Sequence, residues 1–127
     1  MKVVLSIKPE FAHKIFEGTK KFEFRKSIFK NKNVKTVIVY ASSPLQQVIG
    51  EFEIEKILSY DLDTLWDLTQ DFSGITQDFF YDYFSDKEIG YAIKIKKTKK
   101  YRTPKCLRED FNLFPPQSFA YLPNERA

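Results

Sequence analysis

Near the N terminus, a β-prone run leads into a proline, a short helical pattern, a glycine and a segment of alternating charged and aromatic residues. Proline suits the first turn of a helix and glycine its end, so residues 9–17 are predicted to be helical and Gly18 to stop the helix. Residues 20–26 then follow a strand pattern, in which alternate side chains point to opposite faces. Phe22 and Phe24 therefore share one face, which we expect to enter the core.

The opposite face of this predicted strand carries a dense set of charges. Lys21, Glu23 and Arg25 lie on it, and Lys20 and Lys26 stand near the two ends of the strand. Such a row either lines a groove or faces solvent, and a solvated amphipathic strand explains any one of these charges taken alone. The density of charge and the preceding glycine turn together favour a functional site.

The chain has 127 residues, of which 17% are aromatic. This length and composition predict a single folded domain spanning residues 1–127. With one cysteine, Cys106, and one histidine, His13, an internal disulfide and a cysteine-based zinc site are excluded, and we predict no metal and no cofactor. No apolar run approaches the roughly 20 residues of a membrane span. The chain begins with a strand-like run rather than a signal peptide, so we expect no membrane association and a cytoplasmic location.

The charges are segregated along the chain. Residues 8–35 hold nine basic residues and three acids, and residues 94–108 hold eight basic residues and no acid. Between them, residues 51–88 hold eleven acids and two lysines. A basic face attracts phosphates without reading sequence, although a lysine-rich surface also serves solubility alone.

The remaining segments alternate between strand and helix patterns. Strands are predicted at residues 2–7, 34–41, 47–57 and 88–97. The acidic residues 61–83 are predicted to hold two helices, one capped by Asp61 or Asp63 and one by Thr76, with Trp66 in the core. These elements predict an α+β fold, a small mixed β-barrel of five to six strands with two to three short helices.

Some of these strands carry polar or strand-breaking residues at positions that indicate either a functional site or the end of the strand. Ser42, in the Ser-Ser-Pro that ends the strand at 34–41, lies at a rim where ligands often bind, or in a plain turn. The strand at 47–57 has three glutamates on one face, which fit either acid–base chemistry or the solvent side of an edge. The basic segment after residue 97 is predicted to contain an edge strand that Pro104 stops.

The octapeptide at residues 18–25, Gly-Thr-Lys-Lys-Phe-Glu-Phe-Arg, resembles the Gly-x-Lys-x-x-Glu-x-Arg signature of ASCH domains, in the PUA-like superfamily. The later segments follow the family's order down to the terminal PPQSFAYL, so the likeness covers nearly the whole chain. It is strongest to the stand-alone bacterial, archaeal and phage proteins often described as predicted transcriptional regulators. The resemblance implies a small β-barrel with helices across its openings. It also implies a module, regulatory in function, that binds RNA or a nucleotide in a cleft beside the signature strand.

The chemistry of the residues fits such a module. Arg25 offers a planar fork for a phosphate or a base edge, and Lys8 and Lys20 neutralise phosphate as point charges. Glu23 holds Arg25 in place or accepts hydrogen bonds from an exocyclic amine, unless the two form only a same-face ion pair. Tyr40 or Tyr91 stacks a base. The basic residues 94–108 form an outer rim of the cleft. The predicted ligand-binding set is Lys8, Lys20, Glu23, Arg25, Tyr40, Ser42 and Tyr91.

The same resemblance implies an alternative, because some ASCH proteins are catalytic in this cleft. One subgroup hydrolyses the amide of acetylated cytidine, and others have been assigned ribonuclease activity. A small hydrolase acting on RNA or a modified nucleoside would use Lys20 and Glu23 as its acid–base pair. Lys20 matches the lysine of the amidohydrolase pattern, but Glu23 stands where that pattern has a nucleophilic threonine. A carboxylate cannot do the acyl-transfer work of a lysine-activated hydroxyl.

Overall fold

The computed structural model describes residues 1–122, so residues 123–127 of the predicted domain lie outside the described residues. The strands are β1 (Lys2–Ile7), β2 (Phe22–Arg25), β3 (Thr36–Ala41), β4 (Gln47–Asp61), β5 (Ile89–Lys105) and β6 (Phe119–Leu122). The α-helices are α1 (Pro9–Glu17), α2 (Leu62–Thr69), α3 (Gln77–Tyr83) and α4 (Leu107–Phe111), and a 3₁₀ turn covers Gln70–Phe72. None of the helices within residues 1–122 is long and apolar enough to cross a membrane.

The strands form one mixed sheet in the order β2-β5-β4-β3-β1-β6. β1 and β3 run parallel, and every other neighbouring pair is antiparallel. The predicted α+β class with a six-stranded mixed sheet and short helices is confirmed. The edges β2 and β6 do not pair with each other, so the backbone ladder is open rather than a closed barrel.

The helix that precedes β2 lies where the sequence predicts it. α1 begins at Pro9 and buries Ala12 and Ile15. Gly18 follows with a φ of 91°, and its N–H donates to the carbonyl oxygens of Lys14 and Ile15. Glycine adopts this left-handed conformation without the steric penalty of a side chain. The turn therefore ends α1 and directs the chain into β2.

The pair β4–β5 is longer than its sequence pattern suggests. β4 continues to Asp61 and β5 to Lys105, instead of ending near residues 57 and 97. Pro104 does not stop the strand, contrary to expectation. It falls in an irregular stretch of the ladder, between the pairs of Gly50 with Lys100 and of Val48 with Lys105, where its missing N–H removes no regular sheet bond.

The helices α2 and α3 cover one part of the sheet with aromatic residues. Trp66, Phe80 and Phe84 from the helical region pack with Phe22 and Phe24 of β2 in one buried cluster. Phe22 and Phe24 therefore enter the core, and Trp66 is a core residue, as predicted. This packing holds the short strand β2 between the helices and β5.

Both helices have the N-terminal caps that the sequence predicts. The Asp61 carboxylate accepts a hydrogen bond from the Thr64 N–H at 3.1 Å, and the Thr76 hydroxyl accepts one from the Phe79 N–H at 3.1 Å. Each cap satisfies an N–H that has no partner within its helix. Local chemistry thus sets where α2 and α3 begin.

Candidate functional site

A cleft of about 280 Å³ lies beside α1, β2 and α3. Its polar lining comes from Ser6, Lys8, Lys20, Glu23, Arg25 and Gln117, and its apolar lining from Phe11, Phe24, Ile75, Phe79 and Tyr83. A concave, mainly apolar site with a few convergent polar groups is the usual form of a ligand pocket.

Lys20 is the most buried charged residue of the cleft, with 2% of its surface exposed. Its Nζ donates to the Ser73 carbonyl oxygen at 2.7 Å. No carboxylate within residues 1–122 forms an ion pair with it. Burial lowers the pKa of Lys20 from 10.5 to about 8; the charge of Glu23 opposes this shift and that of Lys14 adds to it. The amine is mainly cationic at pH 7, yet it releases its proton more readily than a surface lysine.

The loop before α3 is shaped around the stem of Lys20. Gly74 has a φ of 71°, and a Cβ added to it would lie 2.6 Å from Lys20 Cβ and Cγ. On the same loop, Lys14 Nζ donates to the Gly74 carbonyl oxygen at 3.0 Å. A glycine is therefore required at this position both by its backbone conformation and by the close approach of the lysine.

Glu23 and Arg25 form a largely buried ion pair on β2. Arg25 Nη1 lies 3.3 Å from Glu23 Oε2, and the two side chains are 11% and 8% exposed. Arg25 also donates to the Ser6 carbonyl at 3.4 Å and to the carbonyl and hydroxyl oxygens of Ser118 at 3.0 and 2.9 Å. Its planar fork is thus occupied by protein acceptors, an arrangement that fits the role of holding Glu23 in place.

These hydrogen bonds connect the two edges of the open sheet. Arg25 belongs to the edge strand β2, and Ser118 immediately precedes the other edge strand, β6. Ser6 on β1 adds a hydrogen bond from its hydroxyl to the Pro116 carbonyl at 2.6 Å. Side chains therefore join the edges that the backbone ladder leaves apart, and they bring Gln117 to the cleft.

Aromatic rings surround the Lys20 amine and extend the cleft along α3. Lys20 Nζ lies 5.3 Å from the ring centroid of Phe11 and 4.8 Å from that of Phe24, within the range of cation–π attraction. The rings of Phe79 and Tyr83 are stacked with centroids 6.4 Å apart. The Tyr83 hydroxyl donates to the Phe24 carbonyl at 3.2 Å, and burial raises the pKa of Tyr83. Such walls suit a planar ligand.

The structure brings four members of the predicted ligand-binding set into this cleft, namely Lys8, Lys20, Glu23 and Arg25. Tyr40 is buried in a separate core cluster with Val4 and Ile38. The Ser42 hydroxyl donates to the Ile7 carbonyl at 3.4 Å in the turn after β3. Tyr91, opposite Arg25 in the β2–β5 register, does not line the cleft.

The basic segment 94–108, predicted as an outer rim, contributes no residue to the cleft lining. Within residues 1–122, no group of three or more His, Cys, Asp or Glu residues could hold a metal ion. The polar chemistry of the cleft therefore comes from Lys20, Glu23, Arg25, Lys8, Ser6 and Gln117.

Several residues that line the cleft were not predicted as site residues from the sequence. Ile75, Phe79 and Tyr83 recur at helical spacing, which indicates a buried face but does not tell a core face from a cleft wall. Gln117 and Ser118 reach β2 only through tertiary contacts, and no local motif marks them.

Comparison with known proteins identifies this fold. The family model described as "ASCH domain" matches residues 5–100. The chain is 34% identical over 122 residues to the ATP synthase subunit alpha of Ureaplasma parvum, a match that covers 94% of this chain. It spans only 15% of the length of that relative. The activity, substrates and partners of that larger protein therefore do not transfer to this chain.

Two further comparisons cover most of both chains. The chain is 32% identical over 127 residues to an "ASCH domain-containing ribonuclease" of Zymomonas mobilis, covering 96% of this chain and 84% of the relative. It superposes on the crystal structure of ASCH from Zymomonas mobilis with a TM-score of 0.88 and 32% identity, covering 96% of this chain and 87% of that one.

Proposed function

This chain belongs to the ASCH domain family, and from that premise we propose that it is an RNA-binding module, spanning the chain as one domain. A single unstacked nucleotide of a single strand enters the cleft beside α1, β2 and α3. A module that binds RNA without cleaving it would act as a regulator.

The observation that carries this proposal is the pairing of a buried cation with aromatic walls in one small cleft. The volume of about 280 Å³ is at the lower end for ligand pockets and suits one nucleotide rather than a folded nucleic acid. Single-stranded RNA is recognised by splaying out bases, stacking them on aromatic rings and hydrogen bonding their edges. Phe79 and Tyr83 offer ring faces, Glu23 accepts hydrogen bonds, and Lys20 and Lys8 attract the phosphate.

The test is a fluorescence-anisotropy titration of a labelled single-stranded RNA with the wild type and two matched variants. Lys20→Met removes the buried cation of the cleft, whereas Lys21→Met removes the same charge from an exposed neighbour outside the cleft lining. We expect Lys20→Met to weaken binding about tenfold, the order of one hydrogen bond to a charged group. Lys21→Met should change it less than twofold. Equal effects of the two variants, with both folded, would place the RNA outside the cleft.

The pH dependence of binding adds a second readout. Because the pKa of Lys20 is lowered to about 8, its charge is lost at a lower pH than that of surface lysines. A bound phosphate favours the cation and moves this transition upward. We therefore expect affinity to fall as the pH rises from 8 to 10 in the wild type, and to change little in Lys20→Met.

A second candidate is ribonuclease activity, which the same lowered pKa and the named Zymomonas relative favour. The Glu23 carboxylate would accept the proton of a 2′-hydroxyl as its oxygen attacks the adjacent phosphorus. The Lys20 ammonium would give its proton to the leaving 5′-oxygen. Turnover should then vanish in Glu23→Gln and Lys20→Met, and a substrate without the 2′-hydroxyl should not be cut. If the wild type yields no product at high concentration, the binding role alone stands.

A further inference from the structure

We propose a second RNA contact outside the cleft: a basic groove, lined by Lys30, Lys32, Lys35 and Lys56, that binds phosphates of the strand whose nucleotide occupies the cleft. This inference rests on the proposed RNA-binding function and extends it to a longer ligand. The groove has a volume of about 230 Å³ and lies between the segment after β2 and the middle of β4.

The base of the groove is fixed by the core. Phe29 and Val34 line the groove and are 6% exposed each. The hydroxyl of Tyr121 on β6 accepts hydrogen bonds from the N–H groups of Lys30 and Asn31 at 3.0 and 3.1 Å. The segment that carries three of the lysines is thus attached to the sheet at both a buried face and a strand, which positions their charges before any ligand binds.

The charge of this groove is not balanced by neighbouring acids. All four lysines are exposed, and within residues 1–122 none of them forms a salt bridge. The acidic residue of the groove, Glu55, has its carboxylate 3.0 Å from Lys94 Nζ. Within the described residues, four lysines without a salt bridge thus surround one carboxylate that is already paired with Lys94, and this excess of positive charge attracts anions.

The lysines of β5 provide the contrast. Lys97 lies opposite Glu53 in the β4–β5 register, and Lys99 lies opposite Glu51. Opposite charges across neighbouring strands partly neutralise each other. Two carboxylates therefore lie beside the lysine run on β5, whereas one carboxylate lines the groove within the described residues, although the sequence makes the β5 run look more basic.

The groove follows the cleft directly along the chain. β2 ends at Arg25 in the cleft, and Lys26 Nζ then lies 4.9 Å from the ring centroid of Tyr83, a residue of the cleft wall. Residues 30–35 continue from there into the groove. The segment that passes the cleft wall at Lys26 therefore enters the groove within four residues.

The chemistry of the groove indicates its ligand class. Lysines are point charges that neutralise phosphate without bidentate reading of a base. The one aromatic ring that lines the groove, Phe29, is buried and offers no open stacking face. Such a site binds the phosphodiester backbone independently of sequence.

The experiment uses two triple variants that remove equal charge. The groove variant, Lys30→Ala/Lys32→Ala/Lys35→Ala, removes three cations from the groove. The β5 variant, Lys97→Ala/Lys99→Ala/Lys100→Ala, removes three exposed lysines of β5. Each is titrated with labelled oligouridines of 4 and 16 nucleotides across a salt series, with circular dichroism as the check on folding.

We expect the groove variant to lower the slope of log affinity against log salt by about two for the 16-mer, at about 0.7 per phosphate contact in a single strand. The affinity for the 16-mer should fall at least tenfold near physiological salt, and the affinity for the 4-mer should change less than twofold. The β5 variant should leave the slope within about 0.5 of the wild type.

Three results would overturn the inference: equal losses in both triple variants, an unchanged 16-mer slope in the groove variant, or a groove-dependent loss seen with phosphatidylserine vesicles but not with RNA. Failure of the cleft proposal looks different. In that case Lys20→Met would leave 4-mer binding intact, while the groove variant would still lower the 16-mer slope.

Discussion

Strands β2 and β4 carry almost the same local pattern and have opposite environments. Both alternate glutamate with apolar residues, in FEFR and in EFEIE. On β2, Glu23 is 6% exposed and pairs with Arg25 at 3.3 Å. On β4, Glu53 is exposed, and the pair of Glu55 with Lys94 has side chains 44% and 36% exposed at 3.0 Å.

The difference comes from what lies over each strand. The charged side of β2 faces the cleft lined by α1, α3 and the segment that precedes β6, whereas the glutamates at positions 53 and 55 of β4 face solvent. A buried charge must find hydrogen-bond partners, so its loss is costly, while an exposed pair adds little. A strand's pattern therefore identifies its charged face but not whether that face is covered.

The largest expected effect is that of Arg25→Ala. It leaves Glu23 as a buried carboxylate without its partner and removes the hydrogen bonds to Ser6 and Ser118. Breaking a buried pair in this way lowers the free energy of unfolding by about 3–5 kcal/mol. Urea denaturation measures it. A loss below 1 kcal/mol would mean that the buried and the exposed ion pairs do not differ in energy.

Gly74→Ala should come next. Its Cβ would lie 2.6 Å from the stem of Lys20, and its φ of 71° is unfavourable for alanine. Overpacking and backbone strain together cost about 3 kcal/mol.

Gly18→Ala is the matched control for this prediction. It has a φ of 91° but nothing within 4 Å of an added Cβ, so it should cost only about 1 kcal/mol. The double variant Gly74→Ala/Lys20→Gly, which lacks the contacted side chain including its Cβ, should cost less than the sum of the two single variants. Equal costs at the two glycines would show that contact with Lys20 adds nothing.

The buried lysine also predicts a pH dependence. The pKa of Lys20 is lowered from 10.5 to about 8 by burial, so the unfolded chain binds more protons than the folded one between these values. The contribution of this residue to the free energy of unfolding therefore increases as the pH rises through that window. Below pH 8 this contribution no longer changes with pH. The gain from pH 7 to pH 10 is about 2 kcal/mol.

This gain is read as the difference between the wild type and Lys20→Met in urea titrations at both pH values, because other lysines and tyrosines titrate in the same range. Lys94→Met, at the exposed pair, should keep the wild-type dependence. The same slope in wild type and Lys20→Met would contradict the burial of this amine.

The smallest effect is expected at the exposed pair of β4 and β5. Lys94→Ala removes an ion pair that salt and water already screen, so the free energy of unfolding should change by less than about 0.5 kcal/mol. A thermal melt at low and at high salt measures it. A decrease of more than 2 kcal/mol in the free energy of unfolding would mean that this exposed pair contributes nearly as much as the buried pair.

Much of the local structure could be predicted from the chain. The helix at 9–17, its end at Gly18 and the caps Asp61 and Thr76 all depend on residues within one turn of each other. The lengths of β4 and β5 could not be predicted in the same way. The two strands pair with each other well beyond the segments in which apolar and polar residues alternate clearly. This pairing keeps Pro104 within the strand.

The cleft was predictable only in part. The signature segment indicated Lys20, Glu23 and Arg25, which line the cleft. Tyr40 sits at the end of a strand like many ligand-binding residues, yet it packs into a core cluster away from the cleft. Ser118 carries no motif, but it accepts two hydrogen bonds from Arg25 across 93 positions of sequence.

By itself, the sequence determined most of the elements, the α+β class and the charged face of β2, because propensity, capping and alternation act between residues close in the chain. The tertiary structure alone decided that this face is covered, that Arg25 joins the two sheet edges and that Lys20 is buried against Gly74. Burial and pKa depend on groups brought together from distant positions, and no local pattern contains that information.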